Sequence, residues 1–216
     1  MCKRAWLVFI VSQALEKQKS DVKACWTNLR LLGKIATYKQ AALYRCVSLA
    51  SGAALAMNAR NILTSLLAAR SLLETIAHFS DFVSQLARSV KTKDLATADI
   101  LVMHRTFNTR DKEWLEEYPQ YKAETVLKAI DKLEASFPSV RAIYEQLSEF
   151  CHPNWYGHHL LFSSLDDTTG TVAYSDFEQF PGIVTAVLPP LTLLIWFEMD
   201  IGKLDELVTE IATMQG

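Results

Sequence analysis

Apolar and polar positions recur at helical spacing along most of this chain. The densest stretch is 57–90, MNARNILTSLLAARSLLETIAHFSDFVSQLARSV, apolar almost all the way round, as expected of a helix in the middle of a bundle. At about 100° per residue, Ile62, Leu66, Ala69, Leu72, Leu73, Ile76, Phe79 and Val83 cover one broad face. The opposite face opens with Leu63 and Leu67 and then changes character. Arg70, Glu74, His78 and Asp81 follow at spacings of four, four and three, within one stripe roughly 80° wide. Ionisable groups in register on a helix with so little exposed face predict a polar cluster inside the fold.

The other elements fall into place around this helix. Residues 5–17 predict a first helix carrying Trp6, Phe9, Ile10 and Leu15. A second is expected from the N-cap Ser20-Asp21, with Val22, Cys25, Trp26 and Leu29 at helical spacing, running past Gly33 into 35–49. Ser51-Gly52 is the first expected break. After the central helix come an amphipathic helix over 95–107, closed by Asn108-Thr109, and a short helical piece over 112–118 that stops before Pro119. Helices over 122–135 and 140–151 follow, the latter ended by Pro153. The pattern then shifts to loose alternation. DDTTG is turn chemistry between two β-favouring runs, which predicts a small hairpin of 160–165 with 171–174. A last helix is expected over 182–213, kinked or restarted at Pro189-Pro190. The expectation is a mostly α-helical bundle of seven or eight helices with one β-hairpin near 160–174. It forms a single domain over 1–216, with its core bundle over about 50–157, the hairpin at 158–176 and the C-terminal helix at 182–213.

Composition sharpens this reading. Half of the 216 residues are apolar and 21% are charged, enough for one well-packed core. Seven glycines and six prolines are too few for a sandwich or barrel full of tight turns. The net charge of −2 hides an asymmetry: residues 1–100 hold 14 Lys/Arg against 6 Asp/Glu, and residues 101–216 hold 8 against 18. The basic residues form no run, which favours halves that pack on each other or on a second copy over an anion-binding surface. Cys2, Cys25, Cys46 and Cys151 show no zinc spacing and read as reduced, mostly buried thiols of a cytoplasmic protein. The start, MCKRAWLVFIVSQALEK, has only seven consecutive apolar residues before its charges resume, so no targeting segment is expected. The run 182–197 is 16 residues with two prolines inside, short of the ~20 that span a bilayer. No membrane partner is expected.

Two stretches could carry chemistry. In the stripe, Arg70 and Glu74 can pair locally, but burying that pair demands further partners from another helix. The alternative is an ion-pair cluster that only fixes helix register. The second stretch is LSEFCHPNWYG, 147–157. Ser148, Glu149 and His152 sit at the end of a core-facing helix, where the helix dipole favours a protonated His152. Asn154 can cap carbonyls or touch a ligand, and Trp155 and Tyr156 can wall a pocket. The alternative is a plain helix C-cap. Alternation allows at most one of His158 and His159 to face inward. Glu74, His78, Glu149 and His152 also suggest half of a helix-bundle dimetal site, although two further carboxylates have no obvious source, so no metal ligand is assigned. Gly-rich phosphate loops, GxSxG and HExxH are missing from the sequence, and no cofactor is implied.

AARSLLETIAHF followed by YEQLSEFCHPNWYG resembles a group of uncharacterised bacterial helical proteins that share Arg-x3-Glu on a central helix and Leu-Ser-Glu-x2-His-Pro-Asn near the end of another. The resemblance spans about 61–157 and implies a helical fold without a particular activity. More distantly the chain resembles HEPN-type bundles, which implies a metal-independent RNase or toxin component. Their arginine and histidine are separated by four to six residues, whereas Arg70 and His78 have seven between them and Arg141 and His152 have ten. Three functions therefore compete. The first is a binding or interaction module, dimeric or holding a small polar ligand at a buried Arg-Glu-His site. The second is an RNase, with His152 or His78 as base for the ribose 2′-OH and Arg70 on the phosphate. The third is a dimetal enzyme. In each, Arg70 and Glu74 are expected to meet Ser148, Glu149 and His152 across two facing helices.

Overall fold

A computed structural model describes residues 30–175 and 180–215. The helix expected over 5–17 and the start of the one expected from Ser20-Asp21 lie outside the described residues, while the stretch expected past Gly33 into 35–49 is helical. Within them run α1 (Leu31–Asn58), α2 (Ile62–Lys91), α3 (Leu95–Phe107), α4 (Lys112–Glu117), α5 (Val126–Glu134) and α6 (Val140–Cys151). The hairpin β1 (Ser163–Asp166) and β2 (Thr171–Tyr174) comes next, then α7 (Phe180–Thr192) and α8 (Leu194–Gln215). The expected mostly α-helical bundle with one hairpin is what forms.

The apolar helix α2 is its axis, packed against α1, α3, α5, α6, α7 and α8. Its broad face is buried as the spacing demands, from Ile62 and Leu66 through Leu72, Leu73, Ile76 and Phe79 to Val83. Aromatic rings close the centre. Phe79 lies 4.7 Å from Phe197 of α8, and Phe82 lies 4.7 Å from Tyr38 of α1, edge to face.

Several boundaries differ from the pattern, each for a physical reason. Ser51-Gly52 does not break the chain; α1 runs through it to Asn58. A mid-helix glycine costs only about 1 kcal/mol relative to alanine, and here the buried Ala53 and Ala56 pack the same stretch into the core. Close packing lets the Ser65 hydroxyl of α2 donate to the Ala53 carbonyl at 3.0 Å. The true break is at Arg60, whose φ of 57° is left-handed, and Asn61 then caps α2 by accepting the Thr64 N–H at 3.2 Å. Residues 57–58 thus belong to α1. Helix α5 begins at Val126 rather than 122 because the preceding segment is held extended. There Thr109 N–H donates to the Tyr121 carbonyl and Ala123 N–H to the Thr109 carbonyl, both at 2.9 Å.

His158 and His159 lie in a π-helical turn, Tyr156–Leu160, rather than a strand, so alternation does not apply and both are exposed. That turn requires Gly157, since a Cβ there would sit 2.0 Å from the His152 carbonyl oxygen. The hairpin is shorter at its start than expected and pairs Ser163 with Tyr174 through Asp166 with Thr171. Its turn uses Gly170 at φ +66° and Asp166, which accepts the Thr168 N–H at 2.8 Å. Of the two outcomes expected at Pro189-Pro190, the chain takes the restart: α7 ends at Thr192 and α8 begins at Leu194.

By length and composition, Ile62–Lys91 and Gly182–Gln215 could each cross a membrane. The first spends its apolar face on the bundle, while the second keeps Leu188, Ile195 and Met199 exposed.

Burial along α2 gives a direct test. Leu73→Ala should destabilise the fold by about 2–5 kcal/mol, through lost transfer energy and a cavity. Leu55→Ala, on a side chain 69% exposed, should change it by no more than about 0.5 kcal/mol. Urea unfolding of the two variants beside the parent measures both.

Candidate functional site

A carboxylate among core residues must be paired to stay charged. Asp81 is such a group, buried on α2 between Ile76–Phe79 and Phe82–Val83. Its Oδ2 accepts a short hydrogen bond from Arg105 Nη2 of α3 and a second from Gln85 Nε2 at 2.7 Å. Its Oδ1 accepts from Lys132 Nζ of α5 at 2.6 Å. Arg105 is almost wholly buried, while the Lys132 side chain is half exposed and reaches in from the surface. Two cations from two helices therefore converge on one carboxylate.

His78, one turn before Asp81, joins the cluster through Arg105 Nη1, 3.4 Å from its Nδ1. A guanidinium only donates, so Nδ1 must carry the lone pair and Nε2 the proton. His78 is thus the neutral imidazole. Burial first, and Arg105 second, lower its pKa below the ordinary 6.5, against the opposing pull of Asp81, Glu74 and Glu124. Arg105 Nε is buried without a hydrogen-bond partner.

The N-terminal half of the stripe forms a separate group. Arg70 Nε lies 3.2 Å from Glu74 Oε1. The Tyr144 hydroxyl of α6 accepts from Arg70 Nη2 and donates to Glu74 Oε1, each at 3.3 Å. The guanidinium also lies 5.5 Å from the Tyr144 ring centroid, within cation–π range. Burial works against the Arg70 charge, but the Tyr144 bond and Glu74 outweigh it and raise its pKa.

The second stretch behaves differently from expectation. Helix α6 does face α2, but it meets Arg70 and Glu74 through Tyr144. Among the described residues no hydrogen bond or ion pair joins that pair to Ser148, Glu149 or His152. His152 is exposed at the end of α6, its N–H bonded to the Ser148 carbonyl at 3.0 Å. Glu149 is exposed and accepts from Asn154 Nδ2 at 2.8 Å, and Asn154 Oδ1 accepts the Gly157 N–H at 3.0 Å. Trp155 is 65% exposed and stacks on His159 at 4.9 Å. The Ser148 hydroxyl is buried without a hydrogen-bond partner. The motif therefore builds a helix end and the turn after it. Among the described residues no three of His, Cys, Asp and Glu gather to hold a metal ion.

Glu74 and His78 open instead onto a cleft of about 440 Å3 between α1, α2 and α3, which Tyr38, Arg45, Thr75 and Arg105 also line. Arg45 Nε donates to Thr75 Oγ1 at 3.0 Å, and Thr75 in turn donates to the Ser71 carbonyl. Desolvation pushes the Tyr38 phenol up to about 12 even though Arg105 pulls it down, so it stays a hydroxyl. The charges do not balance. Arg45, Arg70, Arg105 and Lys132 face Glu74, Asp81 and the more distant Glu124, an excess of one positive charge with His78 neutral.

Sequence pattern alone missed Arg45, Arg105, Lys132 and Tyr38. For Arg105 a signal existed: Ala98, Val102 and Arg105 follow at spacings of four and three, which puts the arginine on the core stripe of α3. No family model, curated protein or solved structure matches the chain.

The depressed pKa of His78 gives stability a sign with pH. Between the folded value and 6.5 the unfolded chain binds the extra proton, so stability is full above 6.5 and falls as pH drops toward the folded value. Nuclear magnetic resonance titration should place the His78 midpoint below 6.5, and Arg105→Met should raise it. Asp81→Ala, which leaves Arg105 buried without its carboxylate, should cost about 3–5 kcal/mol. The pair Asp81→Leu with Arg105→Met should recover most of that loss in urea unfolding.

Proposed function

We propose that the protein is a binding module that holds a small anionic ligand in the cleft between α1, α2 and α3. The carrying observation is the donor character of the lining. Arg45 and Arg105 present only N–H groups, and Arg105 takes the one lone pair of the neutral His78, whose free group is then Nε2–H. Glu74 supplies the acidic character of the wall, but its Oε1 is engaged by Arg70 and Tyr144. A volume of about 440 Å3 suits a small molecule, and a carboxylate or phosphate would offset the excess positive charge. Charge-assisted hydrogen bonds of this kind are the stronger class.

The same features favour binding over proton transfer. A general base needs a free lone pair, and that of His78 is occupied, while His152 stands at the surface end of α6 with no recorded bond to Arg70. Metal-independent RNA cleavage therefore has less support here than ligand capture.

Isothermal titration with inorganic phosphate at low chloride should give saturable one-to-one binding. Arg45→Ala, an exposed side chain whose loss leaves the core intact, should weaken it about tenfold, or ~1.4 kcal/mol. Arg88→Ala, outside this cleft, should not. If phosphate fails to bind, or Arg45→Ala binds it equally, the reading falls. Cleavage of single-stranded RNA by the parent in EDTA, lost in His78→Ala, would put the nuclease in its place.

A further inference from the structure

Arg105 also lines a second and larger cleft, of about 890 Å3, formed by α2, α3, Lys34 of α1 and the segment Gln120–Glu124. We propose that this cleft is a separate binding site for an amphipathic carboxylate, a molecule with an anionic head and an apolar body. The volume lies toward the upper end for small-molecule sites, and it is about twice that of the cleft holding His78.

Two properties of the lining set the ligand chemistry. The first is which charges remain unspent. Lys34 and Asp99 neutralise each other, with Nζ 2.7 and 2.8 Å from the two carboxylate oxygens. Glu124 lies 3.8 Å from Lys128. Arg88 is different: its recorded bond runs from Nε to the Ser84 carbonyl of its own helix at 3.4 Å, and among the described residues no carboxylate lies within ion-pair distance. Arg105 is already bonded to Asp81 and His78 and its Nε is buried, so Arg88 is the cation left to a ligand here. An anion is therefore the favoured head group. The second property is the apolar wall. Leu101, Met103 and the Tyr121 ring line the cleft, and Ile100 beside them is 69% exposed. Covering that isoleucine and the half-buried Leu101 with an apolar body would remove hydrocarbon from water at about 25 cal/mol per Å2. A purely polar anion would leave this wall wet, and a neutral hydrocarbon would leave Arg88 without a counterion.

Decanoate is the probe, with decyltrimethylammonium as the same chain under opposite charge and acetate as the same head without a chain. Binding is read by isothermal titration and by amide shifts in the full-length protein. Decanoate should bind saturably, and acetate and the ammonium at least tenfold more weakly. Arg88→Ala and Ile100→Glu both change exposed side chains, and each should weaken decanoate about tenfold while leaving the unfolding midpoint in place. Arg45→Ala should leave decanoate untouched, which separates this site from the phosphate cleft. Equal binding of the ammonium would overturn the proposal, as would indifference to both Arg88→Ala and Ile100→Glu. Loss of decanoate binding in Arg45→Ala instead of Arg88→Ala would place the ligand in the smaller cleft and overturn it equally.

Discussion

The charge of Asp81 is the constraint on which the rest of the arrangement depends. An aspartate with Phe79, Phe82 and Val83 as buried neighbours cannot be hydrated, so it must be paired from outside its own helix. Arg105 comes from α3 and Lys132 from α5, and their meeting at one carboxylate fixes the rotation of both helices against α2. Gln85, one turn on, completes the shell of Asp81. The position of His78 follows, because the guanidinium that serves Asp81 also reaches the imidazole. A single buried anion thus organises three helices, and the Arg105 it holds, together with burial, keeps the histidine neutral.

The second polar group on α2 obeys the same rule with less burial. Arg70 and Glu74 are each about one quarter exposed, and Tyr144 bonds both, although Arg70 Nε has only its ion pair with Glu74 and no hydrogen bond. The two groups sit on one stripe of one helix, yet they address opposite neighbours. Arg70 and Glu74 tie α2 to α6, whereas Asp81 ties it to α3 and α5. The spacing of four, four and three residues keeps them on one face, and the drift within a stripe roughly 80° wide lets its ends reach different helices.

How far this was legible in the sequence depends on whether the determining contact is local. The core face of α2 follows from period alone, and all eight of its expected residues are buried. The hairpin turn was legible because Asp166 and Gly170 are turn residues for local reasons. Ser51-Gly52 misled for the converse reason: glycine weakens a helix by a fixed small amount, and the packing that offsets it comes from α2, about a dozen residues away. The site was half legible. Arg70, Glu74 and His78 were named from their own helix, but Tyr144 and Arg105, which bond them, lie on others. Arg105 reads as an ordinary cation in the last turn of α3 until its position on the Ala98–Val102 face is weighed. The His-Pro-Asn element drew attention because its residue types can do chemistry, yet those residues are spent on ending α6 and bracing Gly157.

A purely structural role for the Asp81 cluster leaves two of its features unexplained. Ion clusters of this sort are weak contributors to stability, since well-packed apolar residues of similar volume often do as well or better. A scaffold selected for stability alone gains nothing from a buried Arg105 Nε without a partner, nor from placing Arg45 beside a cluster whose other charges balance. Of the two, the buried donor without a partner is the one that weakens the folded state, whereas Arg45 is exposed. The same guanidinium lines both clefts, although its Nε itself is buried. A cost of this kind on a guanidinium that lines two clefts is what the proposed ligand would have to offset.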